Sequence, residues 1–386
     1  DSLRFTATEG RYDMKNYVVR AEGVPYVRVA DADIIPDSGK VVIEADAVLE
    51  TFRNARIQMD TLSGYHEFYN VRADIFSRNA FMAEGDYDYE NRGGNIQTVN
   101  FEDIGVNEIT DTIGKGKNME FVKRYESYAK AYIDENKNFY MDPKIRFKGP
   151  VEIHSQKENI DFLGYAQLNI ADTASFPTEW FRVQESFNPL DVVLNIDSTV
   201  NENDKPVEVG IFRRWDTTTL YSSILRQKNY RKDLPIFTVG GSMRYFESQN
   251  EFVFGEPDRI DGKSTRGNLL RFNDAEGVIS AEGTFDMGLK FGMCDFTAAG
   301  NITKRKEDTV YIFNMLHALD LYLTDDLLDM IGEDIYGSNS GSQSIDYTNS
   351  TLFASALPEF FDQKDEDKVM DEIYKTGQFV KPKDME

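Results

Sequence analysis

Apolar and polar residues alternate along most of this chain with a period of two, in short runs broken by turn residues. LRFTATEG, YVVRAEGV, YVRVADADII and KVVIEADAVL follow one another within the first fifty residues. Such alternation places every second side chain on one face of a pleated strand, so each run has one face to bury and one to leave in water. Turn signals separate the runs, at 13–16 and at Pro36-Asp37-Ser38-Gly39. In the latter, proline supplies its fixed φ at the second turn position and glycine closes the turn. The pattern continues through YHEFYNVRADIF, AFMAEGDYDY, NIQTVNFEDIGV, KIRFKGPVEIHS and IDFLGYAQLNI, with Gly149-Pro150 and Gly164 marking bends or bulges.

One step recurs within this alternation. Ala-Glu-Gly stands at 21–23, 83–85, 275–277 and 281–283, and a looser aromatic-to-glycine form extends it, most densely over 271–302. None of these glycines belongs to a phosphate-cradling GxGxxG or P-loop motif. Their role is mechanical: glycine lets a strand bend or approach its neighbour closely. The 27 Phe and 20 Tyr fit the same reading, since aromatic side chains pack well on half-buried pleated surfaces.

Three stretches are less uniform. MEFVKRYESYAKAYI (119–133) spaces Phe121, Tyr125, Tyr128 and Tyr132 as a helix would, yet also nearly alternates; its strand-like neighbours favour a strand. Residues 172–235 carry Pro177, Pro189 and Pro206 and an acidic loop at 201–204; LDVVLNID and VEVGIFRRW read as strands, and 216–232 as a short helix or a long excursion. After 308 the character changes. Residues 310–323 read as strand or helix, Thr324-Asp325-Asp326 opens a helix that Gly332 is placed to close, and 367–376 offers Val369, Met370, Ile373 and Tyr374 as one apolar helical stripe.

The expected organisation is a β-repeat region over 1–171, an irregular insertion over 172–235 and a second β-repeat region over 236–308. A strand or helix segment over 309–332, a Gly/Ser-rich linker over 333–350 and a helical tail over 351–386 complete it. The fold class predicted is mainly β: repeated strand-turn-strand layers forming a β-solenoid or an open curved β-jelly-roll, with a small helical C-terminal appendix.

Charge and cysteine content narrow the function classes. A formal charge of −24, from 67 acidic and 43 basic residues, repels phosphate backbones, so nucleic acid is not the expected partner. Cys294 is the sole cysteine, which excludes an internal disulfide framework and cysteine-based zinc sites; we expect it in the core. No apolar run reaches the length of a membrane helix. The chain opens at Asp1 directly onto a strand-like run, which reads as a processed or excised beginning.

Candidate chemistry is sparse. Asp31, Asp33 and Asp37 are the candidates for a Ca²⁺ site, with Asp86 and Asp88 a similar cluster, although neither has EF-hand spacing. His66, His154 and His317 are scattered and accompany no nucleophile elbow. Trp180 and Trp215, near Glu179, Glu185 and Asp216, form the one constellation suited to gripping a sugar ring between aromatics and carboxylates.

The stretch FTATEGRYDMKNYVVRAEGVPYVRVADADIIPDSGKVVIEADAVL resembles the repeats of the lipopolysaccharide-transport β-jelly-roll family, the organic-solvent-tolerance type. The likeness covers about residues 1–110 and 236–302. It implies an open β groove with an apolar interior, a place in the bacterial periplasm or at the outer membrane or cell surface, and no catalytic residues. The expected function is therefore a non-enzymatic envelope or surface protein acting as scaffold, bridge or hydrophobic-groove binder of lipid or acyl chains, with protein, lipid or glycan partners. The alternative is a carbohydrate-active lyase or hydrolase using Glu179, Glu185 and Asp216, with Trp180 and Trp215 binding the ligand. A third possibility is partner binding through the helix at 367–376.

Overall fold

A computed structural model describes residues 3–113, 120–289, 292, 294–306, 310–337, 350–361, 365 and 368. The chain is mainly β, built of curled antiparallel sheets that include a half-barrel, with a small helical appendix. It divides into two compact units, residues 1–167 with 182–192 and residues 168–181 with 193–386.

The first unit is built from β1 (Glu9–Asp13), β2 (Val18–Glu22), β3 (Val27–Val29), β4 (Ala32–Ile35), β5 (Val41–Ile43), β6 (Phe52–Met59) and β7 (His66–Ser77). It continues with β8 (Ala80–Glu90), β9 (Ile96–Ile113), β10 (Glu120–Ile133), β11 (Phe139–Asp142), β12 (Ile145–His154), β13 (Asp161–Leu168) and β14 (Phe181–Ser186). An eleven-stranded sheet runs β14-β13-β12-β10-β9-β8-β7-β6-β4-β3, with β11 on β12; β1, β2 and β5 make a small separate sheet. The ambiguous aromatic stretch is thus a strand. Its ladder with β9 runs from Glu120 to Lys130, so alternation outweighed helical spacing once a long partner was available.

Alternation becomes burial directly: every second residue of β12 is buried, and those between are half-buried or, at Pro150, exposed. The buried face is aromatic. Phe147 meets Phe162 edge-on at 4.9 Å between ring centres, Phe162 stacks on Phe187 at 4.7 Å, and Tyr89 lies 5.0 Å from Phe139. Tyr89, inside this seam, donates its hydroxyl to the Met141 carbonyl at 2.8 Å, and burial pushes its phenol far up. The aromatic seam leaves a void of about 10 Å³ between Tyr87, Phe101, Phe139 and Phe162. That is room for a single water at most, not for an acyl chain.

The second unit holds β15 (Val193–Asn195), β16 (Glu208–Arg213), β17 (Leu220–Arg226), β18 (Leu234–Val239), β19 (Ser242–Phe246), β20 (Glu251–Gly255), β21 (Leu269–Asn273), β22 (Val278–Phe285), β23 (Cys294–Lys304) and β24 (Ile312–Leu321). Seven form a sheet in the order β15-β19-β20-β21-β22-β23-β24, and β17-β16-β18 form a three-stranded sheet. The repeat stretch 271–302 lies at the heart of the larger sheet. There Gly283 and Gly300 face each other across the β22–β23 ladder, both at positive φ, +133° and +154°. A Cβ on Gly300 would stand 2.1 Å from the Asn314 carbonyl oxygen, so glycine is required by close backbone approach.

The helices are α1 (Pro257–Ile260), α2 (Asp325–Gly337) and α3 (Ser350–Phe360). Helix α2 starts where expected, with the amides of Leu327 and Leu328 bonded to the Thr324 carbonyl. It does not stop at Gly332. Glycine inside a helix costs only about 1 kcal/mol, and the helix carries through to Gly337, into the first residues assigned to a linker. Residues 310–323 resolve into strand β24. Helix α3 packs on β22, β23 and β24 and buries Phe353, Ala356 and Leu357. The stretch 216–232 contains strand β17 rather than a helix. Cys294, expected in the core, is only half buried. The apolar stripe at 369–374 lies outside the described residues.

Candidate functional site

The three-stranded sheet of the second unit departs from the chain's composition. Between 205 and 233 the sequence carries seven Lys or Arg against three Asp or Glu, in a chain of net charge −24. Strand β16 is buried along most of its length and pairs with β17 from Arg213↔Leu220 to Glu208↔Arg226, with a bulge between Glu208 and Gly210. The ladder thereby brings residues at the two ends of the basic stretch side by side.

A buried carboxylate, Asp233, folds the following loop back. It accepts hydrogen bonds from the Trp215 amide at 3.1 Å, the Tyr221 hydroxyl at 2.7 Å and the Tyr230 amide at 3.0 Å. The Tyr221 oxygen in turn accepts from the Asn229 amide at 3.1 Å. Burial, and then the hydrogen bond to Asp233, push the Tyr221 phenol well above its ordinary range. One aspartate thus ties the loop 227–233 to the Trp215 backbone and to Tyr221 on β17.

The result is an open cleft of about 430 Å³, within the size range of small-ligand sites, lined by Glu179, Arg214, Arg226, Gln227, Lys228, Asn229 and Tyr230. The Arg214 guanidinium sits 5.1 Å from the centre of the Tyr230 ring and donates to Asp216 at 2.7 Å. Arg226 donates to the Asn229 side chain at 2.8 Å, and no carboxylate pairs with it among the described residues. Lys228 lies 3.6 Å from Glu208 and 5.8 Å from the centre of the Phe212 ring. Glu179 is the one acid of the lining, and both its oxygens are engaged: Asn201 donates at 2.7 Å and the Gln227 amide at 3.3 Å.

Of the residues singled out in the sequence, Glu179 lines this cleft and Asp216 is held at it by Arg214. Glu185 lies on β14 in the first unit. Trp180 is buried and Trp215 is 55% exposed, with the Lys232 ammonium 5.2 Å from its ring centre. A paired-carboxylate hydrolase needs one carboxyl free to give up a proton and one free to attack or to activate water. Here Glu179 is the single acid of the lining, and Asp216 is tied to Arg214. Arg226, Lys228, Tyr230 and the organising Asp233 carry no recognisable motif, and sequence reasoning missed them; the charge reversal over 205–233 is the signal that could have found them.

The aspartates at the start of the chain are structural. Asp31 accepts from the Ser127 amide at 2.9 Å and from the hydroxyls of Ser127 and Ser155 at 2.5 Å each, bracing the β3–β4 turn against β10 and the end of β12. Asp33 takes a two-pronged contact from Arg28 at 2.8 and 2.9 Å, and Asp37 accepts from the neighbouring Ser38 hydroxyl. Their oxygens turn to three different partners instead of one centre, so they do not fit a calcium site. Asp86 and Asp88 accept from Asn70, Asn100, Tyr69 and Thr98 in a polar ladder across β7, β8 and β9.

The histidines are likewise accounted for. His66 is buried, its Nε2 donating to the Lys157 carbonyl at 2.8 Å and its Nδ1 facing the Tyr87 hydroxyl at 3.3 Å; burial lowers its pKa. His154 lies between Glu152 and Asp161, and His317 stacks on Phe296. No group of three or more metal-binding side chains occurs among the described residues.

Compared with protein-family models, with curated proteins and with solved structures, the chain matches none.

Proposed function

We propose that this protein is a non-enzymatic β-rich scaffold that holds an anionic ligand in the cleft of its second unit. The observation that carries this reading is the cleft's lining: three cations and a tyrosine ring against one carboxylate, Glu179, on a chain that is elsewhere strongly acidic, with Asp216 and Glu208 each facing one of those cations. Arg226 is the cation best placed to take a new partner, because its present contact is a neutral amide. A carboxylate-, sulfate- or phosphate-bearing ligand would exchange that contact for a charge-assisted one, about twice as strong as a neutral hydrogen bond.

The setting at the bacterial envelope or cell surface remains part of the proposal. Its support is the resemblance of the repeats, and the antiparallel meanders fit an open, curved jelly-roll better than a solenoid, whose successive coils stack in parallel. Within the hydrophobic-binder family of readings, the filled aromatic seam of the first unit argues for binding at the polar cleft instead of acyl carriage.

The test is a ligand panel read by Trp215, which is exposed and next in sequence to Arg214. Oligouronates, sulfated oligosaccharides and inorganic phosphate separate the possible anions, and neutral oligosaccharides serve as control. Saturable binding of an anionic member, without turnover, supports the proposal. Depolymerisation of any saccharide favours the lyase or hydrolase reading, and failure of every anion to bind removes the proposal.

A further inference from the structure

The ends of a β-sheet expose unpaired amides and carbonyls, and proteins ordinarily blunt such edges with short strands, charges or proline. Nearly every strand end in this chain follows that practice. Strands β3, β5 and β15 have three residues each. Strand β14 carries Arg182 and Glu185, β1 carries Glu9, Arg11 and Asp13, β17 ends in Arg226, and β18 contains Pro235. Residues 105–113 of β9 and 120–127 of β10 pair only with each other among the described residues, and that ribbon is laced with Glu108, Asp111, Lys123 and Arg124.

Strand β24 breaks the practice. It is the last strand of the seven-stranded sheet, ten residues long, with the sequence IFNMLHALDL. Its ladder with β23 runs through ten consecutive pairs without a bulge. It has no lysine, arginine or proline, and Asp320 is its one formally charged residue. Ile312 and Leu319 are 52% and 59% exposed. Helix α3 covers the sheet through β22, β23 and β24, and among the described residues no strand pairs with the outer edge of β24.

We infer that this edge pairs with the same edge of a second copy, joining two seven-stranded sheets into one continuous antiparallel sheet. A two-fold axis normal to the sheet keeps each side chain on its own face, which requires the axis to pass through a residue position. Centred on Leu316, it sets Phe313 opposite Leu319 of the second copy, Met315 opposite His317, Asn314 opposite Ala318 and Ile312 opposite Asp320. No like charges oppose each other, and one apolar pair forms on either side of the axis. Charge selects this edge for self-pairing: two chains of −24 repel wherever their acidic surfaces meet, and β24 is the long edge with the fewest charges. The inference is independent of the ligand proposed for the cleft.

The experiment is sedimentation equilibrium of the full chain over about two decades of concentration, paired with hydrogen exchange of the β24 amides. The expected result is a monomer–dimer equilibrium in which β24 amides gain protection as dimer forms. Leu316→Lys places two ammonium groups across the axis and weakens association by about tenfold or more; Leu316→Glu does the same with carboxylates. Mixing the two variants restores dimer, which also shows that each is folded. A monomer at every concentration overturns the inference, as does a dimer indifferent to both substitutions. Rescue failing in the mixture overturns the Leu316-centred pairing.

Discussion

Replacing Asp233 by alanine is the perturbation that most directly strikes the construction of the cleft. The carboxylate accepts three hydrogen bonds, from Trp215, Tyr221 and Tyr230. The amides of Trp215 and Tyr230 belong to exposed residues and turn to water when the carboxylate is lost, at roughly 0.5–1 kcal/mol each. The Tyr221 hydroxyl is in the more sheltered position, and stranding it costs about 1–3 kcal/mol. The sum is about 3 kcal/mol, which lowers the melting temperature of a unit of this size by roughly 6–12 °C. Asp233→Asn retains the shape and one acceptor, and costs about half as much. Asp216→Ala removes a partly exposed ion pair and costs under about 1 kcal/mol. Differential scanning calorimetry of the three variants gives the ranking. If Asp233→Ala melts within about 2 °C of the parent, or below it by no more than Asp216→Ala does, the organising role assigned to Asp233 is wrong.

Further expectations concern the two β bodies. His66 is buried with its pKa lowered, so the folded state disfavours its charged form: its contribution is present above the unfolded value of 6.5 and is lost as pH falls through the folded value. Urea midpoints measured on the acid side should therefore decline less steeply in His66→Gln than in the parent. Burial pushes the Tyr311 phenol up to about 12 from 10, so its contribution is present below about pH 10 and is lost as pH rises through about 12; Tyr311→Phe should lessen the alkaline loss of stability. Gly300→Ala drives a Cβ into the Asn314 carbonyl oxygen at positive φ and should cost about 2–4 kcal/mol by chemical denaturation. Asp31→Ala leaves the buried hydroxyls of Ser127 and Ser155 without their acceptor and should cost about 2–4 kcal/mol in the first unit.

Alternation made the β class legible before any coordinates, because a period of two has one physical solution when half the residues are apolar. It did not give the sheet ends, since the same period serves a central strand and an edge strand. The aromatic stretch around Tyr125 and Tyr128 shows the limit: spacing alone allowed helix or strand, and an eighteen-residue partner strand decided it. Helix α2 shows another, because Gly332 looked like a stop and the helix ran on. At the cleft, Glu179, Trp215 and Asp216 were visible as residue types that hold sugars. The cations that define its chemistry were not, because Arg214, Arg226 and Lys228 converge only after β16 and β17 pair and Asp233 draws the loop inward. Trp180 was indistinguishable from a surface tryptophan in sequence, and packing buried it.

The central claim is that the cleft binds through its cations, and isothermal titration of parent and Arg226→Gln with an anionic oligosaccharide at low and high salt tests it most directly. The account predicts saturable binding by the parent that weakens with salt, and a loss of about tenfold in affinity in the variant, with its melting temperature unchanged. Equal affinity in parent and variant, or binding indifferent to salt, would contradict it.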